Sequence, residues 1–263
     1  MLCINCDICI MIPKIVHYCW LSNDPYPEEI QRCINSWKMY LTDYEFVKWD
    51  FNRFPKERSK WVSQAFNNRK YAFAADFIRL YAVYNYGGIY LDTDVEVIKS
   101  FDEFLNCQTM ISWQEGNNGL EVAAFGAAKG EKWLKDCLSY YDNKNFVRPD
   151  GSFEKKTLPN IVEDKLRECG YQLVDVYDLN DVQMYHSKCI PILPSDYFSP
   201  KSLKDGKIRL TSNTRCIHHF AGSWISNTER FLGVIQRIFN KIGLKNTGVT
   251  DKIRRIYDRF SKK

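Results

Sequence analysis

YAFAADFIRLYAVYNYGGIYLDTDVEVI, residues 71–98, is the stretch whose reading decides the fold. From Tyr71 to Tyr86 it is rich in Ala, Leu, Ile and aromatics and holds no Pro or Gly, which predicts a largely buried helix. Gly87-Gly88 ends that helix, because glycine enters the left-handed backbone there without strain. Gly88–Leu91 then reads as a short apolar strand that carries Asp92 and Asp94 at its C-terminal end. In open α/β sheets that edge is where ligands bind. Side chains at i and i+2 of a strand point the same way, so both carboxylates are expected to reach one site. Together with phosphate oxygens they would hold Mn²⁺ or Mg²⁺ and neutralise the adjacent charges of a nucleoside diphosphate as it leaves a sugar. A bare D-x-D is otherwise an ordinary solvated turn. The apolar strand and helix ahead of it make the difference here.

Asp76 and Arg79 lie three apart on one face of the helix. They are either a local ion pair or part of the site. Their neighbours Phe73, Ala74, Ala75, Phe77, Ile78 and Leu80 are apolar, and a charge pair in such a setting is costly unless it is paired or used. That favours use, with Arg79 on a phosphate or sugar hydroxyl and Asp76 accepting from sugar hydroxyls.

Three further stretches fall in a telling order around this block: IPKIVHYCWLS at 12–22, Trp49-Asp50, and NTRCIHHFAGSW at 213–224. Together the four blocks resemble the DXD-containing sugar-transferase family that includes the yeast outer-chain mannosyltransferases, the large clostridial glucosylating toxins and many bacterial capsule-synthesis enzymes. The resemblance runs from about residue 12 to 225. It implies a GT-A (Rossmann-like) nucleotide-sugar transferase fold with a central mixed sheet and a helical C-terminal tail, divided as a catalytic domain over 12–226 and a basic amphipathic tail over 227–263. It implies a metal-dependent hexosyltransferase acting with retention, a nucleotide-sugar donor (a UDP-sugar, because the toxins' counterpart of Trp20 stacks on uracil), and a glycan acceptor of the lipid-linked surface-polysaccharide kind.

The roles follow residue by residue. Asp94 binds the metal directly and Asp92 assists it, while Asp76 and Arg79 hold the sugar. Trp20 takes the base, and Asp50 either touches the nucleoside or caps the next turn. By its distance from Trp224, His219 stands where the toxins carry a metal-ligating carboxylate, and His218 is the fallback; neutral imidazole suits such ions. Ser223 and Trp224 resemble the residues that close over the diphosphate and exclude water. No residue identifies itself as a covalent nucleophile, so a same-face displacement with the leaving phosphate as base is expected.

The remaining chain fits one sizeable α/β domain in 263 residues, 45% of them hydrophobic. Ile12–Trp20 and Tyr44–Trp49 read as strands, with His17 a satisfied core histidine. Residues 27–41 form an amphipathic helix through Ile30, Cys33, Ile34, Trp37 and Tyr40–Leu41. Strands over 109–113 and 122–127 flank a polar loop, and helices over 131–141 and 158–169 flank a polar segment, 142–160, that reads as a surface loop or lid. Short strand-like runs follow from 171 to 198.

The ten cysteines are expected as thiols rather than disulfides. Cys3, Cys6 and Cys9 lack the fourth ligand of an iron–sulfur run. No apolar run approaches the roughly 18–20 residues of a membrane span, and no secretion signal is visible. A cytoplasmic protein is therefore expected. Residues 229–263 carry a net charge of +7 against +5 for the whole chain, in two amphipathic helices. Such helices either contact the inner face of an anionic membrane or pack on the domain. No nucleic-acid module is recognisable.

Two rivals remain. In one, Asp92 is the nucleophile of an aspartyl-phosphate phosphohydrolase. In the other, the chain is a non-catalytic nucleotide- or glycan-binding module.

Overall fold

The computed structural model describes residues 12–117, 119–182 and 188–221. In chain order the elements are β1 (Ile15–Cys19), α1 (Glu28–Tyr40), β2 (Glu45–Trp49), α2 (Lys60–Asn67), α3 (Tyr71–Tyr86), β3 (Gly88–Leu91), β4 (Val95–Val97), β5 (Thr109–Met110), β6 (Ala124–Ala127), α4 (Lys132–Leu138), α5 (Leu158–Glu168), β7 (Gln172–Asp175), β8 (Cys189–Ile192) and β9 (Cys216–His218). Five strands form a central mixed sheet in the order β2-β1-β3-β6-β5. β2, β1 and β3 run parallel, while β6 runs antiparallel to β3 and β5 antiparallel to β6. The expected α/β class with a central mixed sheet is borne out.

Strand alternation sorts the core into two layers. Val47, Trp49, Tyr90 and Phe125 face one side, where they pack with Trp61 of α2, Ala74 and Ile78 of α3, Leu134 of α4 and Ile161 of α5. Val16, Ile89, Leu91 and Ala124 face the other side, under Ile34 and Trp37 of α1 and the Phe101, Phe104 and Phe198 loops. A sheet covered on both faces is the layering that parallel strands require.

The helix–glycine–strand expectation holds, and the reason is sharper than a helix cap. Gly87 sits at φ 69°, ψ −177°, a region that only glycine occupies readily. Gly88 has φ 104°, and a Cβ there would lie 2.6 Å from the Ile15 carbonyl oxygen. β3 can approach β1 only without a side chain at that position. His17 fills the same junction. Its Nδ1 accepts from Trp49 Nε1 at 3.2 Å and its Nε2 donates to the Gly87 carbonyl at 2.8 Å. Burial outweighs that bond and lowers the imidazole to about 4, so it is the neutral, satisfied core histidine expected.

Two segments differ from expectation. The 142–160 segment is no free lid: Phe146 is fully buried against Trp61 and Phe73, and the Val147 amide donates to Gln64 of α2 at 3.0 Å. Tyr40, placed on the buried stripe of α1, is exposed, while Trp37 and Leu41 of that stripe are fully buried. The cysteines at 19, 33, 107, 137, 169, 189 and 216 are free thiols. Cys3, Cys6, Cys9 and the tail over 227–263 lie outside the described residues.

Candidate active site

The three parallel strands end together, so Trp20, Asp50 and Asp92 emerge along one edge of the sheet. Beyond β3 the chain does not stay extended. The Val95 amide donates to the Asp92 carbonyl at 3.0 Å, which closes a turn over Asp92–Val95. The two carboxylates therefore converge by a turn rather than by strand alternation. β4 follows and leaves the main sheet. It is anchored on α1, where Trp37 Nε1 donates to the Val95 carbonyl at 2.7 Å and Ser36 Oγ accepts from the Val97 amide at 2.9 Å.

β4 pairs antiparallel with β9, setting Val95 opposite His218. That register brings a histidine from the far end of the described chain to the D-x-D turn. Asp92, Asp94 and His218 each offer one ligand atom, all within 4.8 Å of one another. Two hard carboxylate oxygens and one imidazole nitrogen suit Mn²⁺ and are compatible with Mg²⁺, so these residues fit the ion that the D-x-D implies.

The position expected of His219 is thus filled by its neighbour, because successive side chains of a strand face opposite ways. His218 faces Asp94, with Nε2 3.7 Å from its Oδ1, whereas His219 turns to Glu96 and places Nε2 2.7 Å from its Oε2.

Behind His218 stands a carboxylate that sequence reasoning did not single out. Glu121 is fully buried. Its Oε1 accepts from the Ala123 amide at 2.8 Å, and its Oε2 lies 3.2 Å from His218 Nδ1. Burial opposes charge on the imidazole, but Glu121, with Asp94 and Asp92, raises it to about 9.

Asp92 is held from two sides. Its Oδ1 accepts from the Tyr90 hydroxyl at 2.9 Å and its Oδ2 from Arg79 Nη1 at 3.0 Å. Arg79 is itself buried. Nη1 also donates to the Val122 carbonyl at 2.9 Å, Nη2 lies 3.2 Å from Asp76 Oδ1, and the guanidinium sits 4.7 Å over the Tyr90 ring. Its Nε has no hydrogen-bond partner among the described residues. Burial pushes Asp76 up to about 7, against the pull of Arg79 and with Asp92 adding to the rise. Burial likewise raises Asp92 against Arg79. The structure thus joins Asp76, Arg79, Asp92, Asp94 and His218 in one network, with Tyr90 and Glu121 as members that were not foreseen.

Trp20 and Asp50 share the edge but spend their polar atoms locally. Trp20 Nε1 donates to the Asp24 carbonyl at 3.0 Å, and the ring packs edge-on against Tyr26. Asp50 Oδ1 accepts from the Asn52 and Arg53 amides at 3.0 and 3.2 Å, which is the turn-capping alternative. Ser223 and Trp224 lie outside the described residues.

Comparison with known proteins finds related sequences and one partly similar structure. Residues 27–111 match the family model of the glycosyltransferase sugar-binding region containing DXD motif. The chain is 31% identical over 127 residues to inositol phosphoceramide mannosyltransferase 3 of Schizosaccharomyces pombe, covering 47% of this chain and 35% of that one. It is 28% identical over 147 residues to inositol phosphoceramide mannosyltransferase 1 of the same yeast, covering 52% and 46%. A mannosyl phosphorylinositol ceramide synthase of Saccharomyces cerevisiae is 31% identical over 102 residues, covering 36% and 26%. The chain thus spans less than half the length of each of these relatives, and none of the three is a capsule-synthesis enzyme. A solved structure, the PaToxG glycosyltransferase, superposes with a TM-score of 0.42 and 17% identity, covering 60% of this chain and 69% of that one.

Proposed function

We propose that this chain, whose residues 27–111 match the family model of the DXD-containing glycosyltransferase region, transfers a hexose from a nucleoside-diphosphate sugar to an acceptor hydroxyl with retention. The observation that carries this reading is the convergence of Asp92, Asp94 and His218 within 4.8 Å at the ligand-binding edge of the sheet. A bound Mn²⁺ or Mg²⁺ would supply neutralisation of the diphosphate charge there.

The chain's own groups do the rest. Asp94 and His218 would hold the cation from the turn and from β9. Asp92, fixed by Tyr90 and Arg79, assists them. Asp76, paired with Arg79, accepts from sugar hydroxyls. Trp20 offers its ring to the base at the same edge. In the reaction the bond from anomeric carbon to phosphate oxygen breaks and a bond to the acceptor oxygen forms on the same face. The acceptor proton passes to the departing phosphate oxygen. The matched family model and the named relatives are sugar transferases, which weighs against the phosphohydrolase reading.

The relatives' names carry mannose as hexose and an inositol phosphoceramide as acceptor. We therefore widen the acceptor from a growing lipid-linked surface polysaccharide to a lipid-borne hydroxyl.

The test is the melting temperature with UDP and with GDP, each with and without Mn²⁺, for wild type and Asp94→Asn. Ligand at about 100 times its dissociation constant stabilises by about 2.7 kcal/mol, a shift of several degrees for a domain this size. A shift with one nucleotide that needs Mn²⁺ and is lost in Asp94→Asn is the expected result, and it names the donor base. No shift with either nucleotide would overturn the reading. Binding without donor turnover would favour the non-catalytic module.

A further inference from the structure

Residues 200–211, PKSLKDGKIRLT, fold as a tight hairpin. The Ser202 amide donates to the Lys207 carbonyl and the Gly206 amide to the Ser202 carbonyl, both at 2.9 Å, and the Arg209 amide donates to the Pro200 carbonyl at 3.0 Å. Gly206 takes the turn at φ 71°. Ser202 is buried at the base, and its Oγ accepts from the Lys204 amide at 3.2 Å. The arms therefore have a defined shape.

What the hairpin displays is unusual for this surface. Leu203, Ile208 and Leu210 are 50%, 42% and 57% exposed, and among the described residues every exposed leucine or isoleucine lies here. Ile208 and Leu210 share a face by strand alternation. Around them stand Lys201, Lys204, Lys207 and Arg209. Arg209 pairs with Asp205 at 3.0 Å and Glu115 at 3.7 Å, but Lys204 and Lys207 form no ion pair among the described residues. The base of the hairpin adjoins the candidate site, since Lys201 Nζ donates to the carbonyl of His219, the residue after the β9 ligand, at 2.6 Å.

We propose that this hairpin is a membrane-contact element, which seats Leu203, Ile208 and Leu210 at the headgroup–acyl boundary of an anionic lipid surface. Charge complementarity selects that occupant. The lysines match anionic headgroups, and their long stems let the ammonium groups stay in the headgroup layer while the aliphatic tips enter. A protein partner fits less well, because protein interface cores are enriched in aromatics and depleted in lysine, and this hairpin is rich in lysine and free of aromatics. No described helix is long and apolar enough to cross a membrane, so contact of this kind is at the surface. The proposal is independent of the transferase reading, since binding to lipid needs neither donor nor metal.

The experiment uses the full chain and vesicles of phosphatidylcholine with and without phosphatidylserine, read by co-sedimentation and by amide hydrogen exchange. Wild type is expected to partition onto phosphatidylserine vesicles, with slowed exchange across 203–210. Lys204→Gln with Lys207→Gln should weaken partitioning by about five-fold per lysine removed. Leu203→Ser with Ile208→Ser and Leu210→Ser should weaken it by more than about ten-fold. All five positions are exposed, so both variants should melt as wild type does. Unchanged exchange at 203–210 on vesicle binding, wild-type partitioning of the serine variant, or failure to bind phosphatidylserine vesicles would each overturn the proposal. Protection at 203–210 that rises with protein concentration in the absence of lipid would also overturn it, in favour of a second copy of the chain.

Discussion

Glu121 is the residue whose replacement most sharply tests the candidate metal site without touching a ligand. Its Oε2 lies 3.2 Å from His218 Nδ1, and its Oε1 is fixed by the Ala123 amide at 2.8 Å. The bond orients the imidazole and keeps a proton on Nδ1, so that a cation would displace only the proton on Nε2, on the side of Asp94. Removing such an outer partner of a ligating histidine typically costs about 10–100-fold in metal affinity, or about 1.4–2.7 kcal/mol.

Glu121→Gln keeps the shape and one acceptor, so its loss should sit near the lower figure. Glu121→Leu leaves both the His218 Nδ1–H and the Ala123 amide without an acceptor. It should approach the upper figure and also lower stability by about 1–3 kcal/mol for each unpaired buried donor. Titration calorimetry with Mn²⁺ in the presence of the nucleotide that shifts the melting temperature reads affinity, and urea unfolding reads stability. Mn²⁺ affinity within about two-fold of wild type in both variants, alongside its loss in Asp94→Asn, would refute the orienting role and leave Glu121 a structural counter-charge.

Arg79→Met removes the cation held between Asp76 and Asp92. Breaking a buried pair this way should cost about 3–5 kcal/mol in urea unfolding, and a cost under about 1 kcal/mol would mean the two carboxyls relax or protonate freely. Gly88→Ala puts a Cβ 2.6 Å from the Ile15 carbonyl oxygen at φ 104°, so a loss of about 3 kcal/mol or more is expected; a soluble variant with wild-type melting would show that β1 and β3 can separate. His17 titrates near 4 when folded and near 6.5 when unfolded. The unfolded chain therefore binds the extra proton between those values, and stability falls as pH falls. From pH 7 to 5 this contributes about 2 kcal/mol of loss, seen as a shallower pH slope of unfolding free energy in His17→Gln. An unchanged slope would refute the buried neutral assignment.

The parts of the fold legible in the sequence were those with a long or strongly marked local signal. α3 spans 16 residues and ends in two glycines that its surroundings require. β4 and α2 were not foreseen. β4 is three residues long and carries no periodicity of its own. α2 left one readable sign, Ser59, whose side chain accepts from the Val62 amide at 3.3 Å as an N-cap should.

In the site, residue types were legible and register was not. Whether His218 or His219 faces the D-x-D turn depends on the pairing of β9 with β4, a contact between segments some 120 residues apart, and one step of register swaps them. Glu121 could have been found. It stands alone in an apolar run, LEVAAF, and the reasoning that singled out Asp76, that a charge among apolar neighbours must be paired or used, applies to it unchanged. The convergence of Asp92 and Asp94 was foreseen for the wrong reason, since a turn brings them together.

The β4–β9 ribbon also sets the order in which the protein can come to life on the ribosome. The sheet, the glycine junction and the D-x-D turn are complete in sequence by Ala127, but the histidine that joins them is translated only at position 218. A nascent chain thus holds every strand of the central sheet about ninety residues before it holds that histidine. Strand pairing across so long a separation is slow to form, and here that slowness makes closure of the ribbon the last event before the site exists.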